Sequence, residues 1–125
     1  MLVTLTGQSM IRGDVRADAP ESVTAIRALL DGDVNFTNFE AAVFDPAAGQ
    51  TTRDGRFASP PQSLEALAEF GINLLGMPNN HSYDIQASGI VNTIRAADRL
   101  GIAHAGIGRD LAEADRAARL ETAHG

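Results

Sequence analysis

The chain has 125 residues and a formal net charge of −6, with 44% hydrophobic and 21% charged residues, so it is sized for one folded domain and is too ordinary in composition for a disordered one. All ten basic residues are arginine against 16 acidic ones, a balance that speaks against nucleic acid as a partner. Cysteine is absent, which removes disulfides, thiolate metal ligands and a cysteine nucleophile, and no run approaches the roughly 20 apolar residues of a membrane helix.

Leu2 to Thr6 are apolar or β-branched and stop at Gly7, which predicts a first strand with Gln8, Ser9 and Met10 at its carboxyl end. Val23, Ile26 and Leu30 fall on one helix face behind Pro20, predicting a crossover helix over 21–30 that ends at Asp31 and Gly32. A second strand follows over 33–39, with Val34 and Phe36 on one face and Asn38 and Glu40 at its end. Residues 41–58 have no period and carry Pro46, Gly49 and Gly55, so they are expected to form a flap over the site. Ser59, Pro60 and Gln62 read as an N-cap, a first-turn proline and a capping-box partner for a helix whose Leu64, Leu67 and Ala68 face the core, closed by Gly71.

The third strand, Ile72 to Leu75, is a short apolar run. Pro78 has no N–H and holds Met77 extended, so the strand ends there and releases Asn79, Asn80, His81 and Asp84 into a loop. Ile90, Ile94 and Ala97 then mark a helix to Leu100, Ile102 to Ala105 a fourth strand, and Asp110 to His124 a last helix. The order is β-α-β-α-β-α-β-α, which predicts an α/β fold with a parallel sheet. No leader is read at Met1, which leaves the cytoplasm as the default location and a membrane-associated or exported setting of a longer protein open.

In open α/β sheets, ligands bind outside the carboxyl ends of the strands. Glu40, Asn80, His81 and Asp84 all fall there, and oxygen and imidazole donors without thiolates suit Mg²⁺, Mn²⁺, Fe or Zn²⁺. Asn-Asn after a strand is also ordinary turn chemistry, and a purely structural role for these loops stays open. Arg12-Gly13-Asp14 spells an adhesion tripeptide, but no apolar strand leads into Asp14, which reads as a loop residue. Gly106-x-Gly108 lacks the third glycine of a dinucleotide motif, Asp110 reads as an N-cap, His104 as a packed residue and His124 as exposed.

The glycine-led polar segment after strand one, Asn38-Phe39-Glu40 after strand two and Asn79-Asn80-His81 with Asp84 after strand three resemble the CapA family of poly-gamma-glutamate capsule biosynthesis proteins. Gly89 to Thr93 and Gly106 to Arg109 with Glu113-Ala114 follow that family's course as well. The resemblance implies the calcineurin-like metallophosphatase fold and a divalent-metal-dependent hydrolase, with Glu40 and Asn80 as metal ligands and His81 as the catalytic residue beside the substrate oxyanion. Asn38, Asn79 and Asp84 would support them.

Two departures follow from the same resemblance. The family's Gly-Asp after strand one is here Gly7-Gln8, which leaves a neutral amide in the first metal position, and the family's later histidine ligands lie beyond Gly125. The chain therefore reads as the N-terminal half of the full domain, a weak catalyst alone, with the missing C-terminal half as its partner. Its substrate would be a polyanionic polymer or a phosphate-containing small molecule. The alternative is a non-catalytic module that binds an anion or polymer through a degenerate metal site.

Overall fold

The structure, a computed structural model, describes residues 1–50 and 57–124. A four-stranded sheet of order β1 (Val3–Ser9), β2 (Val34–Phe39), β5 (Leu74–Gly76) and β6 (Ala103–Ala105) is parallel at every pairing, as the alternating pattern predicts. Two short strands, β3 (Ala42–Val43) and β4 (Ala58–Ser59), form a second parallel pair. The helices are α1 (Val15–Asp18), α2 (Pro20–Leu29), α3 (Gln62–Phe70), α4 (Gln86–Leu100) and α5 (Leu111–Ala114). Among the described residues no helix is long and apolar enough to cross a membrane.

The core gathers Phe39 from β2, Leu64, Leu67 and Phe70 from α3, Leu75 and Met77 around β5, and Ala97 and Ile102 from the α4–β6 corner. The buried face of β2 is Asn35, Thr37 and Phe39, opposite the one carrying Val34 and Phe36. Its two polar residues are satisfied. Asn35 donates to the carbonyls of Leu30, Gly32 and Gly71, bracketing the ends of α2 and α3, and Thr37 donates to the Gly7 carbonyl. A buried amide or hydroxyl without such partners would cost about 1–3 kcal/mol.

Five expectations are corrected. β1 does not stop at Gly7: Leu5 lies opposite Phe36 and Gln8 opposite Asn38, and the extra residue is taken up at Gly7, whose φ of +76° suits a glycine bulge. The segment 41–58 is not an aperiodic flap at its ends, because Ala42, Val43 and Ala58 are buried and paired in β3 and β4. Val43 N–H donates to Thr93 Oγ1 of α4 at 2.9 Å, and Gly89 lets β3 approach, since a Cβ there would lie 3.2 Å from Ala42 Cβ. The middle of that segment, 51–56 with Gly55, lies outside the described residues.

Ser59 is not an N-cap but part of β4, its hydroxyl donating to the Ile11 carbonyl, and α3 begins after Pro60 and Pro61, whose carbonyls take the first N–H groups. The last helix ends at Ala114. Leu111 is 84% exposed, so the Ala- and Arg-rich run beyond it has no core to bury a face against, and short unsupported helices do not hold in water. Asp14 is likewise more than a solvated loop residue: it caps α1 and binds Arg16, which also reaches Glu65 at 2.8 Å and so ties α1 to α3. Hydrogen bonding to Arg16 holds the Asp14 carboxyl below its ordinary range.

Asp110 caps α5 as predicted, and His104 bonds Asp98 from within β6. Arg109 Nε donates to Glu113 Oε2 at 2.8 Å, and this bond holds the Glu113 pKa down to about 2. Because the folded pKa is depressed, the pair supports α5 above the ordinary carboxylate range and is lost as pH falls toward about 2. A carboxyl ¹³C titration should place Glu113 near that value, and Arg109→Ala should return it to the ordinary range; an unchanged midpoint would refute the pairing.

Candidate functional site

The carboxyl end of β2 positions the first half of the site. Strand alternation sends Phe39 into the core and leaves Asn38 on the opposite face, across from Gln8. Glu40 follows, its N–H held by the Ser9 carbonyl at 3.1 Å, and it is 6% exposed. Its Oε2 accepts from the Gln8 amide and, at 3.5 Å, from Asn38 Nδ2. Both are neutral donors. Beside them, Asn38 Oδ1 is buried with no partner at all.

The loop after β5 supplies the second half. Met77 N–H still bonds Ala105, but Pro78 ends the ladder and packs on Gly106, where a Cβ would come within 2.5 Å of the proline ring. Asn79 is consumed by architecture: its Nδ2 donates to the Phe39 carbonyl at 2.8 Å and to Met77, and its Oδ1 accepts from His81 N–H. Ser82 closes the turn by donating to the Met77 carbonyl at 2.7 Å and accepting from Asn79 N–H. What remains free to act is Asn80, His81 and Asp84.

His81 Nδ1 lies 3.0 Å from Asp84 Oδ2, and its Nε2 lies 2.9 Å from Asn80 Nδ2. An amide nitrogen can only donate, so the network assigns the neutral tautomer with the proton on Nδ1 and a lone pair on Nε2. The ring of Phe57 sits 3.8 Å from the imidazole centroid, its N–H donates to Asp84 Oδ2 at 3.3 Å, and the Arg12 guanidinium lies 5.4 Å from its ring centroid. The imidazole is thus clamped on one side by a carboxylate and an aromatic ring.

The model of the bacterial capsule synthesis protein family PGA_cap matches residues 2–125. The chain belongs to this family. Two uncharacterized proteins of Sinorhizobium fredii (strain NBRC 101917 / NGR234), y4sH and y4uA, are each 37% identical to it over 110 residues, a stretch that is 84% of this chain and 23% of the relative. The chain therefore spans less than a quarter of the length of the curated relatives it matches.

Within this capsule synthesis family member, the residues singled out in the sequence fall into two groups. Gln8, Asn38 and Glu40 meet at the ends of β1 and β2, and Asn80, His81 and Asp84 meet on the loop after β5. The Asn79–Phe39 bond joins the two, because Phe39 immediately precedes Glu40. Among the described residues no three His, Asp or Glu side chains converge on one point. Phe57 and Ser82 were not legible as site residues: a phenylalanine at the close of an aperiodic segment and a serine inside a turn carry no spacing signal.

If Asn79 is the latch between strand end and loop, Asn79→Ala should destabilise the chain by about 2 kcal/mol or more, because it leaves buried partners unmet. Asn80→Ala, at an exposed position, should change stability by no more than about 0.5 kcal/mol. Urea denaturation of both variants checks this, and equal effects would remove the distinction.

Proposed function

We propose that this chain carries one edge of a divalent-metal hydrolase site within a longer capsule synthesis protein of metallophosphatase type, acting on a phosphate-containing small molecule or a polyanionic polymer. The observation that carries the reading is Glu40: a buried carboxylate met by two amides and, among the described residues, by no cation. Burying such a charge unpaired is costly, and a bound cation would offset it. The orphaned Asn38 Oδ1 beside it and the Asn80 side-chain oxygen add neutral oxygen donors. The donor set fits a hard or borderline cation such as Mg²⁺, Mn²⁺, Fe or Zn²⁺, held by Glu40 and Asn80 with Asn38 and Gln8 alongside.

A cation there supplies Lewis-acid polarisation of a phosphoryl or carbonyl oxygen and neutralises developing charge. His81 moves the proton. Once Asn80 turns its amide from Nε2 to offer its oxygen to the cation, the freed Nε2 lone pair takes a proton from an attacking water or, once protonated, gives one to the leaving oxygen, while Asp84 holds the imidazole in orientation and stabilises its charged form. Phe57 packs against one side of the ring. Few donors stand on this edge for an ion that wants about six, so water or further protein oxygen and nitrogen donors complete the shell. The open side of β1, where Leu5 is 72% exposed at the margin of a parallel sheet, supports further packing there.

One contact favours a second reading. Gln8 donates an N–H to Glu40 where an aspartate would have offered oxygen, which suits a non-catalytic module that binds an anion or polymer. In the intact protein, Glu40→Gln should abolish retention of Mn²⁺ after desalting, whereas His81→Asn should keep the metal and slow phosphoester hydrolysis by about 100-fold. Retention unchanged in Glu40→Gln would remove the metal site. Gln8→Asp should raise both metal retention and turnover; tighter metal without turnover would establish the module.

A further inference from the structure

A second cleft, sharing no residue with the Glu40 and His81 groups, opens between the Pro46–Ala48 turn and α4. Its volume is about 500 Å³, and it is lined by Asp45, Ala47 and Ala48 on the turn side and, from α4, by Asp98 and by Asn92, Arg95 and Arg99. The last three stand three and four residues apart on α4 and so share one helix face. Arg95 and Arg99 are exposed, and neither holds an ion pair among the described residues, whereas Arg16 and Arg109 are fully engaged with carboxylates.

Asn92 provides the independent sign of a ligand. It is 6% exposed, and its Nδ2 is buried without an acceptor. A buried amide N–H₂ with nothing to donate to costs free energy in the free protein, which a ligand oxygen would recover once the Asn92 side chain turns its amide to the cleft. The carboxylates nearby are already in use: Asp98 accepts from His104 at 3.0 Å, and Asp45 accepts from Ala47 N–H at 3.0 Å. With a net charge of −6 the chain as a whole repels anions, so binding here would depend on these local donors and not on the general field.

We infer that this cleft is an oxyanion site for a small carboxylate- or phosphate-bearing ligand, with Arg95 and Arg99 as the charged clamp, Asn92 as the buried donor and Ala47 and Ala48 as an apolar wall for a short aliphatic portion. Guanidinium and amide N–H groups are the donors that planar carboxylates and phosphates take. The site is independent of the metal reading. It would stand if Glu40 bound nothing.

The test is a ¹⁵N NMR titration of the whole chain with sodium phosphate and, separately, with glutarate, at ionic strength fixed with sodium chloride. The expected result is saturable shifts at 45–48 and 92–99 with either anion, and the one saturating at lower concentration names the group. Arg95→Gln/Arg99→Gln, at exposed positions that leave the fold intact, should weaken that binding about tenfold or more, while His81→Ala should leave it unchanged. Shifts that never saturate, that chloride alone reproduces, or that the double arginine variant retains would mean an adventitious ion only and overturn the inference.

Discussion

A carboxylate shut away from water and met only by amides is the constraint around which the carboxyl edge of this sheet is arranged. Glu40 is buried because Phe39 anchors the end of β2 in the core and the Ser9 carbonyl holds the Glu40 N–H; the side chain has little choice of where to go. Water cannot solvate it, no arginine reaches it among the described residues, and the amides of Gln8 and Asn38 offer only partial compensation. A fold that only needed to be stable would place an apolar residue at this position. The proposed function gives this carboxylate a ligand as its partner.

The His81 group has a different logic. Its parts are all satisfied, with Asp84 on Nδ1, Asn80 on Nε2 and Phe57 on the ring, so nothing in it is strained or orphaned. It is an imidazole positioned through both of its ring nitrogens. The Asn79 amide couples this group to the Glu40 edge through the Phe39 carbonyl, which explains why two adjacent asparagines do different work: one is an internal strut and the other is exposed at the surface.

Much of this was legible in the sequence. Alternation of short apolar runs with helical spacing is a strong signal for a parallel sheet, and Pro78 leaves no choice about where β5 ends. The polar residues at the strand ends could be named because strand direction alone places them on one edge. What was not legible depends on partners distant in sequence. The bulge at Gly7 arises from β2's register, the two-residue strands β3 and β4 carry no period and exist because α4 accepts them, and Ser59 is drawn from capping by the Ile11 carbonyl. The C-terminal run has helical composition but no surface to cover, and composition cannot report that absence.

The measurement that bears most directly on the central claim is paramagnetic line broadening of the ¹⁵N-labelled chain on addition of Mn²⁺ at substoichiometric levels. If the buried Glu40 carboxylate is held for a cation, the amides of Gln8, Asn38 and Glu40 and the side-chain amide of Asn80 should broaden first, with His81 following. Broadening confined to exposed acidic surface such as Asp31 and Glu121, with the Glu40 edge untouched, would contradict the account and leave Glu40 as a structural carboxylate.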